Sequence, residues 1–157
     1  MSYKEVKGDL IELAKQGEFD VITHGCNCFC NMGAGIAPQM AKAFGCDTFD
    51  LEESGLGDMK KLGNIDFDWV YNYDLWVVNS YTQYRYGRNH KDGVKKPLDY
   101  EALILCLRKI NKEFEGLKIG LPKIGCGLAG GDWKRVKEII KTELCDCDVT
   151  VVIYNKK

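Results

Sequence analysis

Two short glycine-rich segments hold the residue types best able to do chemistry: Gly33-Ala34-Gly35-Ile36 and Gly125-Cys126-Gly127-Leu128-Ala129-Gly130-Gly131. Glycine lets a backbone approach a ligand closely, and N–H groups freed at a helix start suit an anion. Two such loops on one edge of a sheet can hold a diphosphate between them. Neither is a nucleotide P-loop, because no Gly-Lys-Ser/Thr follows. His24 precedes the first loop, and imidazole is the only side chain that titrates near neutral pH without help. Asn27 follows three residues later. Asp132 is the acid nearest the second loop, and it serves equally well as a helix N-cap. Cys26, Cys28 and Cys30 alternate after His24, and Cys145 with Cys147 forms another Cys-x-Cys pair. Zinc sites usually pair ligands at Cys-x-x-Cys spacing, and alternation in an extended segment sends consecutive side chains to opposite sides, so no metal is assigned. A cysteine nucleophile would need an electrophile that the glycine loops do not imply.

These groups need a scaffold, and the chain is long enough to build one. Its 157 residues fit one domain spanning 1–157, with a core that needs no metal or disulfide staples. Apolar residues make 45% and charged residues 29%, a globular balance that excludes a disordered chain. Lys and Arg total 22 against 23 Asp and Glu, for a net charge of -1. That excludes a general nucleic-acid or membrane-surface binder, since both need concentrated positive charge. The N-terminal residues lack an apolar signal-peptide core and no apolar run approaches a membrane span. The expectation is a cytoplasmic protein whose eight cysteines are thiols rather than disulfides.

Along the chain, residues 3–6 and 19–23 read as strands, and 9–15 has helical apolar spacing. Residues 25–35 read as a loop, and 36–44 as a helix closed by Gly45. Residues 47–61 suggest a short helix and a loop. Residues 65–71 and 75–81 read as a hairpin turning near Asn72-Tyr73-Asp74. Residues 84–96 form a polar, basic and aromatic loop in which Tyr84, Arg85, Tyr86 and Arg88 interleave. A helix over 99–114, a strand over 117–122, a helix over 133–144 and a β-branched strand over 149–154 complete the pattern. Alternating strands and helices predict a three-layer α/β/α sandwich with a mixed, centrally parallel sheet.

The motifs resemble one family throughout. Val6-Lys7-Gly8-Asp9-Leu10, Val21-Ile22-Thr23-His24-Gly25-Cys26-Asn27 and Gly33-Ala34-Gly35-Ile36-Ala37 look like the macrodomain signature. Leu121-Pro122-Lys123-Ile124-Gly125-Cys126-Gly127-Leu128 resembles that family's second loop. Within the family the chain looks closest to the ADP-ribose-1''-phosphate phosphatases and their phage-borne relatives. The resemblance implies an ADP-ribose derivative as small-molecule ligand, with an ADP-ribosylated protein as a further ligand class and no cofactor. It implies that Asp9 accepts from the adenine amino group, that the Leu10 amide reads the ring beside it, and that Tyr154 stacks on the adenine face. Asp9 also fits an N-cap, and Tyr154 a strand-end aromatic. Asn27 would bond the distal ribose, or close an Asx turn. Gly33, Ala34, Gly35 and Ile36 would line the distal ribose and diphosphate, with Gly125, Cys126, Gly127, Leu128 and Ala129 on the other side.

The implied reaction is release of phosphate from ADP-ribose 1''-phosphate, with His24, Asn27 and Asp132 as catalytic candidates. His24 stands where the family commonly has asparagine, and it fits a packed strand-end histidine as well. A second branch of the family removes ADP-ribose from protein glutamates with a lysine and an aspartate. Gln83 and Ala129 stand at those positions here, so that mechanism is not expected. A binding module without turnover and an ADP-ribosyl ester hydrolase are the alternatives.

Overall fold

The computed structural model describes residues 2–29, 32, 35–49, 59–84, 98–127 and 129–154. Its elements are β1 (Tyr3–Gly8), α1 (Leu10–Lys15), β2 (Val21–Asn27), α2 (Ala37–Phe44), β3 (Ile65–Val70), β4 (Leu75–Gln83), α3 (Tyr100–Glu113), β5 (Lys118–Leu121), α4 (Trp133–Glu143) and β6 (Asp148–Tyr154). Single 3-10 turns occupy Cys46–Thr48, Met59–Lys61 and Tyr71–Tyr73. All six strands form one sheet in the order β1-β6-β5-β2-β4-β3. Every neighbouring pair is parallel except β3 with β4. That is the mixed, centrally parallel sheet the alternation predicts.

Apolar side chains on the two faces of the sheet build two separate cores. On one face Leu10, Ile11 and Ala14 of α1 and Met40 and Phe44 of α2 pack with Ile22, Val77 and Val152. On the other, Leu103, Leu107 and Ile110 of α3 and Val136 and Ile140 of α4 cover Val21, Ile119, Leu121 and Val151. Successive strand residues point to opposite faces, so a strand covered on both sides must be apolar at nearly every position. The β-branched run of β6 meets that requirement. Asp9, Asp99 and Asp132 each cap the helix that follows, accepting from backbone amides of its first turn. Gly45 ends α2 in the left-handed conformation at φ 68°. Among the described residues no helix is long and apolar enough to cross a membrane.

β1 and β4 each run two residues past the sequence reading, to Gly8 and Gln83, and two larger differences follow. β2 runs on through Gly25 to Asn27, where the sequence pattern suggested a loop. Those residues have poor strand propensity, but β4 lies alongside them, pairing Gly25 with Ser80 and Cys26 with Tyr81. Cross-strand partners override local preference here. The β3–β4 connection is also more structured than a simple turn, a 3-10 turn ending on Asp74 at φ 47°.

Candidate functional site

The sheet splits where the two glycine segments begin. β2 and β5 pair only at Val21↔Ile119 and Ile22↔Gly120. Beyond that point β2 follows β4 to Asn27, while β5 follows β6 through Leu121↔Val151. The chain leaves β2 for α2 on one face and leaves β5 for α4 on the other. Neighbouring strands whose connections depart to opposite faces leave a crevice at their carboxyl ends, the usual ligand seat of an open α/β sheet.

The described ends of the first loop lie at the carboxyl end of β2 and the start of α2. A register shift between Cys26 and Asn27 ends the regular β2–β4 ladder. Asn27 is buried, and its Oδ1 accepts from the Phe29 amide at 3.0 Å, so the Asx-turn reading holds here. Gly35 is exposed at φ 66°, and Ile36 stands at the N-cap of α2. Among the described residues the positive dipole end of α2 carries neither a side-chain cap nor an acid in its first turn, which Pro38 occupies. Gly33 and Ala34 lie outside the described residues.

The second loop is held by its own backbone and by the start of α3. Cys126 N–H donates to Lys123 O at 3.1 Å, Gly130 N–H to Gly127 O at 3.0 Å and Gly131 N–H to Gly125 O at 2.8 Å. Leu98 N–H donates to Ala129 O at 3.2 Å, and Tyr100 Oη accepts from the Asp132 amide at 2.9 Å. Gly125 sits at φ 74°, where a side chain would also meet Leu98 Cδ1 at 2.7 Å. Gly127 differs: it is exposed, and a Cβ there would meet nothing within 4 Å. Cys126 is half-buried, with its thiol pushed up by burial. Leu128 lies outside the described residues, as does the basic segment 85–97.

The far end of the crevice rim holds the groups implied for adenine. The β1–β6 register pairs Gly8 with Tyr154, so Tyr154 stands one residue out of register with Asp9 on the same rim. Tyr154 is 64% exposed, so its ring is not a core aromatic. Asp9 caps α1 through Oδ1, which accepts from Ile11 at 3.0 Å and Glu12 at 3.1 Å. Both bonds fall on one oxygen, which leaves Oδ2 for another donor. Leu10 is buried in the α1 core.

His24 lies in the interior, fully buried, on the α2 side of the sheet. Its Nε2–H donates to Asn79 Oδ1 at 2.8 Å. The Asn79 Nδ2 group donates in turn to Cys46 O and to Asp66 Oδ1, both at 2.8 Å, which fixes the amide orientation and hence the tautomer. Tyr81 OH donates to Asp66 Oδ2 at 2.5 Å. Cys26 Sγ and Cys46 Sγ lie 3.4 and 3.6 Å from Nε2. Burial drives the imidazole pKa down to about 4, outweighing the Asn79 bond that raises it. Burial also pushes the Cys46 thiol up to about 12, so it forms no thiolate with a charged histidine. Asp132 is exposed, accepts from Lys134 N–H at 3.1 Å, and lines a groove between α3 and α4. Asp66 had no motif to mark it; an acid alternating with aromatics in β3 was the only available signal. Among the described residues no group of three or more His, Cys, Asp or Glu side chains converges to hold a metal ion.

Fold and crevice together define an α/β sandwich with an open switch point, and known proteins share the fold. The chain is 32% identical to an uncharacterized 17.5 kDa protein of Enterobacteria phage T4, over 97% of this chain and 96% of that one. It is 28% identical to the human ADP-ribose glycohydrolase OARD1, over 95% of this chain and 88% of that protein. A Bacteroides thetaiotaomicron protein of unknown function superposes with a TM-score of 0.77 at 28% identity, covering 98% of each chain. A macrodomain protein from Streptomyces coelicolor does so at 0.68 and 25%, covering 99% of this chain and 100% of that one. A Trypanosoma brucei macrodomain in complex with ADP-ribose shares the fold at 17% identity and TM-score 0.66, covering 98% of this chain and 64% of that one. No protein-family model matches the chain. The chain belongs to the macrodomain family.

Proposed function

We propose that this chain binds ADP-ribose or a close derivative across the β2–β5 crevice. The observation that carries the reading is the split itself, with an uncapped helix start on one side and a glycine loop on the other. The diphosphate sits in the split, adenine lies against Asp9 and Tyr154, and the distal ribose lies toward Asn27 and β4. The ADP-ribose named for the Trypanosoma macrodomain, and the activity named for the OARD1 relatives, agree with that ligand class. Calorimetric titration with ADP-ribose tests it, and Tyr154→Ala should weaken binding roughly tenfold by removing the stacking surface. Wild type that takes up no ADP-ribose would overturn the reading.

The finer reading is hydrolysis of ADP-ribose 1''-phosphate, in which water cleaves the phosphoester to ADP-ribose and phosphate. Asn27 orients the distal ribose in this reading. His24, being buried and bonded to Asn79, acts at one remove as a positioning residue for the ends of β2 and β4. Phosphate release by wild type, His24→Ala and Asp132→Asn tests these assignments. Positioning predicts a reduced rate in His24→Ala with no change in its pH profile. Absence of release by wild type would leave a binding module.

A further inference from the structure

One polar group in the crevice region is out of place energetically. Thr82 is fully buried, and its Oγ1 has no hydrogen-bond partner. A buried hydroxyl without a partner is unfavourable, and native proteins retain few of them. Thr23, on the same sheet, shows the ordinary solution: its Oγ1 lies 3.0 Å from Val78 O and 2.7 Å from Ser80 Oγ.

The surroundings of Thr82 show where its hydroxyl lies. It lies over Gly25, where a Cβ would come within 2.9 Å of Thr82 Oγ1. Any larger residue at position 25 would displace the hydroxyl, so the glycine lets β4 reach across β2. The next neighbour of that position is Ile124, whose Cγ1 would lie 3.3 Å from the same Cβ. Ile124 belongs to the segment that follows β5, on the opposite bank of the crevice. The hydroxyl thus lies beside a bare stretch of β2 that also neighbours the Ile124 bank of the crevice.

We propose that Thr82 is a specificity residue of the crevice, its hydroxyl completed by the distal end of the bound nucleotide. The inference rests on the ADP-ribose reading. Strand order fixes the end concerned: Tyr154 and Asp9 stand at the β1–β6 edge, and Thr82 stands on β4 beyond the split. Four strand spacings separate β1 from β4, roughly 19 Å, so one ligand group cannot serve both. Thr82 therefore reads the distal ribose hydroxyls or the group attached to them.

The test compares wild type, Thr82→Val and Thr82→Ser by thermal melting and by titration with ADP-ribose and with ADP. Valine keeps the shape and removes the hydroxyl; serine keeps the hydroxyl. The expected result is an unliganded Thr82→Val at least as stable as wild type, because an unpartnered group has been removed. Its affinity for ADP-ribose falls roughly tenfold, its affinity for ADP is unchanged, and Thr82→Ser behaves as wild type. A Thr82→Val that binds ADP-ribose as wild type does overturns the proposal while leaving the ADP-ribose reading intact. So does one that melts lower than wild type and loses both ligands equally, which marks a structural role. Failure of wild type to bind ADP-ribose overturns the reading beneath it.

Discussion

Acidification from pH 7 to pH 4 should cost this protein about 3 kcal/mol of stability through His24 alone, the linkage of its one displaced pKa. An unfolded histidine takes its proton near pH 6.5, whereas the buried imidazole of His24 takes one only near 4. Between those values the unfolded chain holds a proton that the folded chain refuses. Stability from this residue is therefore fully present above about pH 6.5, declines as pH falls and levels off near 4. The cause is desolvation, for the ring is enclosed by Asn79, Cys26 and Cys46, and among the described residues no carboxylate is in direct contact with it. Asp66 is one residue removed, its charge already bonded by Asn79 and Tyr81. Urea unfolding across this range checks the result, with His24→Asn as the reference. The variant keeps the carboxylate contribution to the pH slope and loses the histidine part. Equal slopes in the two proteins would show that His24 titrates normally and that the interior network is open to water.

Gly125→Val should disable the second loop, lowering stability by about 3 kcal/mol and ADP-ribose affinity by roughly a hundredfold. Two terms combine. A left-handed backbone costs a side-chain-bearing residue about 1–2 kcal/mol, and overpacking against Leu98 adds about 1–3 kcal/mol. For a chain of this length the loss lowers Tm by roughly 10 °C. Affinity falls because Gly125 O accepts the Gly131 amide that shapes the loop before α4. Gly127→Ala is the contrasting case. Among the described residues nothing occupies the space its Cβ would enter, so its Tm should match wild type. If the diphosphate runs along this loop, the added methyl meets ligand and only binding suffers. Melting curves and titrations of both variants separate a glycine kept for the fold from one kept for the ligand. A Gly127→Ala protein that binds ADP-ribose as wild type does would move the diphosphate off this loop.

The elements that carry these effects were unequally legible beforehand. Helical spacing placed α1 to α4 to within a residue or two, since an amphipathic face is a local property of the sequence. Asp9 and Asp132 marked helix starts for the same reason. The length of β2 was not local. Gly25, Cys26 and Asn27 become strand only because β4 lies beside them, more than fifty residues away in sequence.

The site divides in the same way. The sequence by itself determined the two glycine loops, the capping acids, and the family likeness they carry, because each depends on neighbours within a few residues. Only the tertiary structure decided that β2 and β5 part after two paired residues, which turns two loops into one crevice. It also decided the fate of His24, a reactive side chain by type and a neutral interior group by position. Imidazole chemistry depends on access to water and charge, and burial withdrew both. The unpartnered hydroxyl of Thr82 belongs to the same class of fact. A residue's hydrogen-bonding capacity is written in its type, but whether a partner arrives depends on which strands the fold sets side by side.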